Sequence, residues 1–144
     1  MKTPKASDPA RSALMKRVRQ ARTSAEEAVA VGLRRAGLFY RRNCKGLPGA
    51  PDFANRRRKW AIFVNGCFWH HHKICRRGTI PKQNRAFWLE KFAANRARDA
   101  RKARALRAAG FYVAFVWECE AFDPARLERR IARLQRRAGR AGEG

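Results

Sequence analysis

The stretch WAIFVNGCFWHHHKIC, residues 60–75, starts as one kind of structure and ends as another. Its first five residues, WAIFV (60–64), are all apolar and mostly aromatic or β-branched, and the basic run NRRRK (55–59) precedes them. That pattern predicts a buried strand entered from a hairpin tip. The remainder packs two of the four cysteines and all three histidines into eleven residues, with Phe68 and Trp69 lodged among them.

Outward from this strand the chain alternates helical and extended signals. DPARSALMKRVRQ, with Ser7 or Asp8 as cap and Pro9 in the first turn, predicts one helix. TSAEEAVAVGLRRAG predicts a second, capped at Thr23 and closed by Gly37. LFYRRN suggests a short strand, and KGLPGAPDF a turn leading into an extended run. Downstream, residues 85–109 form a long helical pattern with Trp88, Phe92, Asn95 and Asp99 on one stripe, ended by Gly110. FYVAFVW (111–117) is a second buried strand, and Asp123-Pro124 caps a last helix with Leu127, Ile131 and Leu134 on one face. The expected order is α-α-β-β-β-α-β-α, an α/β fold with a mixed sheet flanked by helices. Residues 1–6 are expected to be flexible, 7–135 to form a single domain, and 136–144 to be a disordered basic tail.

Charge narrows the partner. The 144 residues hold 35 Lys+Arg against 11 Asp+Glu, a formal net charge of +24. Such a chain repels itself when compact and calls for a polyanion, with nucleic acid the best fit. No apolar run is long enough to span a membrane, and MKTPKASDPARS lacks the apolar core of a secretory signal. A cytoplasmic protein without a membrane partner is therefore expected. In that reducing compartment four cysteines favour metal ligation over disulfides.

Cys67-x-x-His70-x-His72-x-x-Cys75 offers four ligands within nine residues, and Cys119 follows the second buried strand. Sulfur and imidazole donors select Zn²⁺ over Mg²⁺ or Ca²⁺. Zinc takes four ligands and this set has five, so either His70 or His72 is left for other work. Among the acids, Glu26 stands at capping-box spacing from Thr23, and Asp99 lies among arginines with an intrahelical ion pair as one reading and an inward position as the other. Asp52, between two extended segments and close in sequence to the histidine cluster, suits either a turn or an Mg²⁺ site for phosphodiester chemistry. Phe68, Trp69 and Trp88 suit a core, base stacking, or insertion between base steps.

Taken together, DPARSALMKRVR, the T-x-x-E of the second helix, LPGAPDF, FVNGCFWHHHKIC, FWLEKFAANRARD and VWEC resemble the very short patch repair (Vsr) endonucleases from about Asp8 to Glu120. The resemblance implies a restriction-endonuclease-like fold with a degenerate PD-(D/E)xK core and a structural zinc site. It implies nicking 5′ to the thymine of a T:G mismatch, the product of 5-methylcytosine deamination. The implied partner is duplex DNA carrying that mismatch, with mismatch-repair and repair-synthesis proteins downstream, and a monomeric, nucleoid-associated enzyme. By position, Asp52 and the backbone carbonyl of Val64 correspond to the Mg²⁺ ligands, His70 to the general base, Asp99 to its orienting acid and Glu26 to a first-helix acid near the site. Cys67, His72, Cys75 and Cys119 correspond to the zinc ligands; Phe68, Trp69, Trp88 and Met15 correspond to the residues that wedge the duplex open.

Three positions depart from that pattern. Asn65 stands where the best-known members have a catalytic-site histidine, and an amide neither takes up nor releases a proton. Ala50 replaces a commonly basic or polar residue, and Cys44 has no counterpart. Two other readings accompany the endonuclease: a mismatch-binding module inactivated through Asn65, and a basic zinc-containing RNA-binding protein.

Overall fold

The computed structural model describes residues 9–67 and 82–143. Its elements are α1 (Pro9–Arg35), β1 (Arg41–Arg42), β2 (Phe53–Asn55), β3 (Trp60–Asn65), α2 (Arg85–Ala108), β4 (Tyr112–Trp117), α3 (Glu118–Ala121) and α4 (Pro124–Glu143). The strands form one sheet in the order β1-β2-β3-β4. The first two pairings are antiparallel, and β3 pairs with β4 in parallel. This is the mixed, helix-flanked sheet expected from the sequence.

Every residue of β3 is buried because both faces of the sheet are covered. Trp60, Ile62 and Val64 point to one side, where they join Phe53, Val116 and the apolar stripes of α1 and α4. Ala61 and Phe63 point to the other, where they meet Leu106 of α2 and Val113. The alternation follows from the two-residue period of a strand, and it is hidden in the sequence because both sets are apolar. Each buried Leu, Ile or Phe here contributes about 1.5–3 kcal/mol relative to exposure.

Local chemistry sets the ends of the elements. Gly37, at φ 73°, lets α1 close with Leu38 N–H donating to Leu33 O and Gly37 N–H to Arg34 O, both at 3.0 Å. Gly110, at φ 90°, closes α2 in the same way through Phe111 N–H to Leu106 O at 3.0 Å. Asp123 caps α4, its Oδ1 accepting from Arg126 N at 3.3 Å, with Pro124 in the first turn as expected.

The structure departs from the sequence expectation in three places. The two N-terminal helices are one, Pro9–Arg35. Thr23 therefore lies inside a helix, where no capping box with Glu26 can form. No Pro or Gly interrupts the chain between Pro9 and Gly32, and the buried stripe Ala25, Val29, Ala30, Leu33 carries the helix onward. After β4 a short helix, α3, holds Cys119, with Glu120 Oε1 accepting from Trp117 N at 3.1 Å. Last, α4 continues through Glu143, and buried Ala138 extends the Leu127, Ile131, Leu134 stripe beyond residue 135.

Candidate active site

Strand parity positions the site. Asn65 extends the Ala61–Phe63 set toward α2, and Asp52 shares parity with Ala54, whose side chain also lies on that side. Asp52 sits one residue before β2, at the point where the ladder to β3 stops at Phe53↔Ile62. Its Oδ2 accepts from Val64 N at 2.7 Å, taking the place of a backbone carbonyl that the short strand does not supply. The loop ahead of Asp52 is held by Asn43 N–H to Asp52 O at 3.1 Å and Cys44 N–H to Pro51 O at 3.0 Å. The carboxylate is thus fixed by both its side chain and its backbone.

From the helical side comes Asp99, whose Oδ2 accepts from Asn65 Nδ2 at 3.1 Å. Of the two readings of Asp99, the inward one holds. Asn65, 7% exposed, therefore ties the C-terminal end of β3 to the middle of α2 across 34 residues. The carboxyl ends of strands are where open α/β sheets hold their ligands.

Asp52, Val64, Asn65 and Asp99 share one cavity of about 250 Å³ with Ala50, Phe63, Lys91, Asn95, Arg98 and Lys102. Lys91, Asn95, Arg98 and Lys102 were not singled out as site residues from the sequence. Their signal was present: with Asp99 they fall at offsets of 0, 4, 7, 8 and 11 on one helical face. It was masked by the abundance of Lys and Arg throughout the chain. A larger groove of about 700 Å³ lies between α1 and α4, but Arg35, Glu128 and Gln135 are its only charged or amide side chains, without the convergent acids of the smaller cavity. The smaller cavity, with its convergent acids and bases, is therefore the candidate site.

The remaining expected residues fall into three groups. Glu26 is half-buried on α1 and does not line the cavity; with Glu27 it raises the Arg42 pKa, chiefly through the Glu27–Arg42 hydrogen bond of 2.7 Å. Met15 and Trp88 come together in one small cluster with Phe87 and Phe92. Trp88 is 3% exposed, its ring stacked 6.1 Å from that of Phe92, so entry into a duplex requires this cluster to open. Phe68, Trp69, His70, His72 and Cys75 lie outside the described residues.

Two zinc-ligand candidates can be placed. Asn65 and Trp117 are register partners at the ends of adjacent parallel strands, and Cys67 and Cys119 each lie two residues further on. The two cysteines therefore leave the sheet at the same, C-terminal end of neighbouring strands. Cys67 is buried, and Arg126 Nη1 donates to Cys119 Sγ at 3.9 Å. Among the described residues no three His, Cys, Asp or Glu side chains form a metal-holding group. Two sulfur donors at one end of the sheet nonetheless match half of a Cys₃His set. The two carboxylates in the cavity match the hard oxygen donors that Mg²⁺ takes, commonly one or two carboxylates completed by substrate phosphate.

A family model described as "DNA mismatch endonuclease Vsr" matches residues 5–77, a span that includes Asp52, β3 and the Cys/His cluster. The chain belongs to the Vsr family. It is 46% identical over 121 residues to the type II nicking enzyme V.XorIIP of Xanthomonas oryzae pv. oryzae, covering 84% of this chain and 88% of that protein. The type II nicking enzyme V.NmeAIP of Neisseria meningitidis is 40% identical over 126 residues, covering 88% and 89%. The DNA mismatch endonuclease Vsr of Escherichia coli K12 is 39% identical over 109 residues, covering 76% and 69%. Similarity to these relatives thus extends well beyond the half of the chain matched by the family model.

Proposed function

We propose that this chain is a DNA mismatch endonuclease that nicks one strand of a duplex 5′ to the thymine of a T:G mismatch, on a restriction-endonuclease-like fold. The observation that carries this reading is the convergence of Asp52 and Asp99 on one cavity walled by Lys91, Arg98 and Lys102. Two acids suit a hard cation and three bases suit a phosphodiester.

Asp52, with the Val64 carbonyl, would hold Mg²⁺. When bound, that ion supplies charge neutralisation on the scissile phosphate and the leaving 3′ oxygen. Asp52 is kept in place by the Val64 amide, so its orientation costs little reorganisation when substrate arrives. His70 is assigned as the base that takes a proton from water, with Asp99 as its orienting acid. Asn65 stays neutral at every working pH and holds Asp99 through its amide, a part that needs no titrating group. This favours an active enzyme over a binding module inactivated at Asn65. Phe68, Trp69, Trp88 and Met15 are assigned to opening the duplex at the weaker wobble pair. Cys67, His72, Cys75 and Cys119 are assigned to a structural Zn²⁺.

The test is a nicking assay with Mg²⁺ on duplexes that differ only in one T:G or T:A pair. Cleavage confined to the T:G duplex is expected, lost in Asp52→Ala while mismatch affinity survives. Absence of product with the wild-type protein, alongside tight mismatch binding, would leave only the binding module. Tighter binding to structured RNA than to mismatched duplex would select the RNA-binding reading. Metal analysis of protein purified without added metal should give about one Zn²⁺ per chain.

A further inference from the structure

The three cations of the cavity are not equivalent. Arg98 is exposed and Lys91 half-buried, each presented from α2. Lys102 is held from two sides. Its stem lies across Gly49, so closely that a Cβ there would come within 2.5 Å of Lys102 Cγ and 2.7 Å of Lys102 Cβ. Its Nζ stands 5.5 Å from the centroid of the Phe63 ring. Gly49 leads through Ala50 and Pro51 into Asp52, and Phe63 leads into Val64 and Asn65. The lysine therefore touches both backbone segments that build the acidic side of the cavity. Among the described residues its ammonium makes no ion pair, although two carboxylates line the same space.

A cation held by packing and not committed to either acid is poised for an anion that arrives with the substrate. We propose that Lys102 is a catalytic residue that binds a non-bridging oxygen of the scissile phosphate and the 5′-phosphate left after cleavage. The inference rests on the endonuclease reading. In the reaction the water oxygen bonds to phosphorus and the P–O3′ bond breaks. The 3′ oxygen departs with the bonding pair and takes up a proton, while the water's proton passes to the general base. Lys102 keeps its proton throughout and offsets the negative charge that grows on the non-bridging oxygens, then on the new 5′-phosphate. The lysine supplies from a helix a positive charge that β3 does not carry, since Trp60–Asn65 contains no basic residue.

The experiment has two readouts. The first is binding, without divalent ions, to a pre-nicked duplex bearing either a 5′-phosphate or a 5′-hydroxyl at the nick. The wild-type protein should prefer the phosphate by about tenfold, a charge-assisted contact. Lys102→Met should lose that preference, and Lys102→Arg should keep most of it. Arg104→Met, which removes an exposed charge elsewhere on α2, should leave the ratio unchanged. The second is single-turnover nicking of the T:G duplex, where Lys102→Met should fall about 10²-fold with mismatch affinity within threefold of wild type. Thermal melting of each variant confirms that it is folded. Lys102→Met that retains both the phosphate preference and the rate would overturn the assignment. A wild-type protein that nicks T:G without preferring the 5′-phosphate would overturn it while leaving the endonuclease intact. A wild-type protein that nicks nothing would remove the endonuclease reading, and a phosphate preference lost in Lys102→Met would still establish the contact.

Discussion

Asp52 owes its position to neighbours that are themselves held in unusual backbone conformations. Gly49 and Ala50 both have positive φ, 74° and 49°, and only the glycine adopts that region without steric cost. The strain at Ala50 belongs to the tight turn that delivers Pro51 and Asp52 to the end of the β2–β3 ladder. Ala50→Gly should therefore raise stability by about 0.5–1 kcal/mol, the relief of the Cβ clash exceeding the extra entropy of the unfolded chain. Chemical denaturation checks this; an unchanged or lower midpoint would show that the turn is unstrained. Cys44 lies in the same loop, its Sγ donating to Arg41 O at 3.3 Å. Burial pushes its thiol pKa up, and the opposing pull of Arg56 and Arg41 is weaker. A raised pKa means less thiolate at neutral pH, so Cys44 should react with iodoacetamide more slowly than an unperturbed cysteine, and catch up only at higher pH. Peptide-resolved alkylation across pH 7–10 measures it. The sequence showed Asp52, Asn65 and Asp99 as candidates, but Asp52 and Asp99 each also had an ordinary structural reading. Two hydrogen bonds, Asp52–Val64 and Asn65–Asp99, join residues far apart in the chain and bring all three to the end of β3.

At the scale of elements, periodicity was informative where one face of a helix is apolar and misleading where a cap signal fell inside a helix. The stripes on α2 and α4 were legible in the residues, as was the buried strand β3. The break expected at Thr23 was not real, since a threonine caps a helix only where neighbouring packing ends it, and Ala25 through Leu33 pack without interruption. The junction between α1 and α4 depends on Gly32. A Cβ at that position would lie 2.6 Å from Ile131 Cδ1 and 3.3 Å from Leu127 Cδ2. Gly32→Leu should thus separate the two helices and lower stability by about 1–3 kcal/mol despite leucine's better helix propensity. A thermal melt that shifts upward would show that propensity outweighs the close approach. Mismatch affinity should change little in this variant, because the junction lies on the face of the sheet opposite the acidic cavity.

For the whole molecule the governing quantity is the net charge of +24. Affinity for any duplex should fall at least tenfold between about 0.05 and 0.2 M salt, because each neutralised phosphate releases counterions. On the proposed function, a preference for a T:G over a T:A duplex should survive the same change, because stacking and deformation rather than charge would set it. Titrations by fluorescence anisotropy at several salt concentrations separate the two; a preference that vanishes with salt would place specificity in the electrostatics. None of the helices among the described residues is long and apolar enough to cross a membrane. What the sequence determined by itself is local: the buried strands, the stripes of α2 and α4, the turn glycines, the family motifs and the charge. These depend on residues close in the chain, whose spacing and backbone preferences are written in order. The cavity is different in kind. Asp52, Asn65, Asp99 and Lys102 come together only when β3 pairs with β2 and β4 and α2 packs across the sheet. The chain distances between them are closed by burial of side chains that take no part in the chemistry. Which cations wall the acidic cavity was decided by that packing, since in sequence Lys91, Arg98 and Lys102 are three among 35.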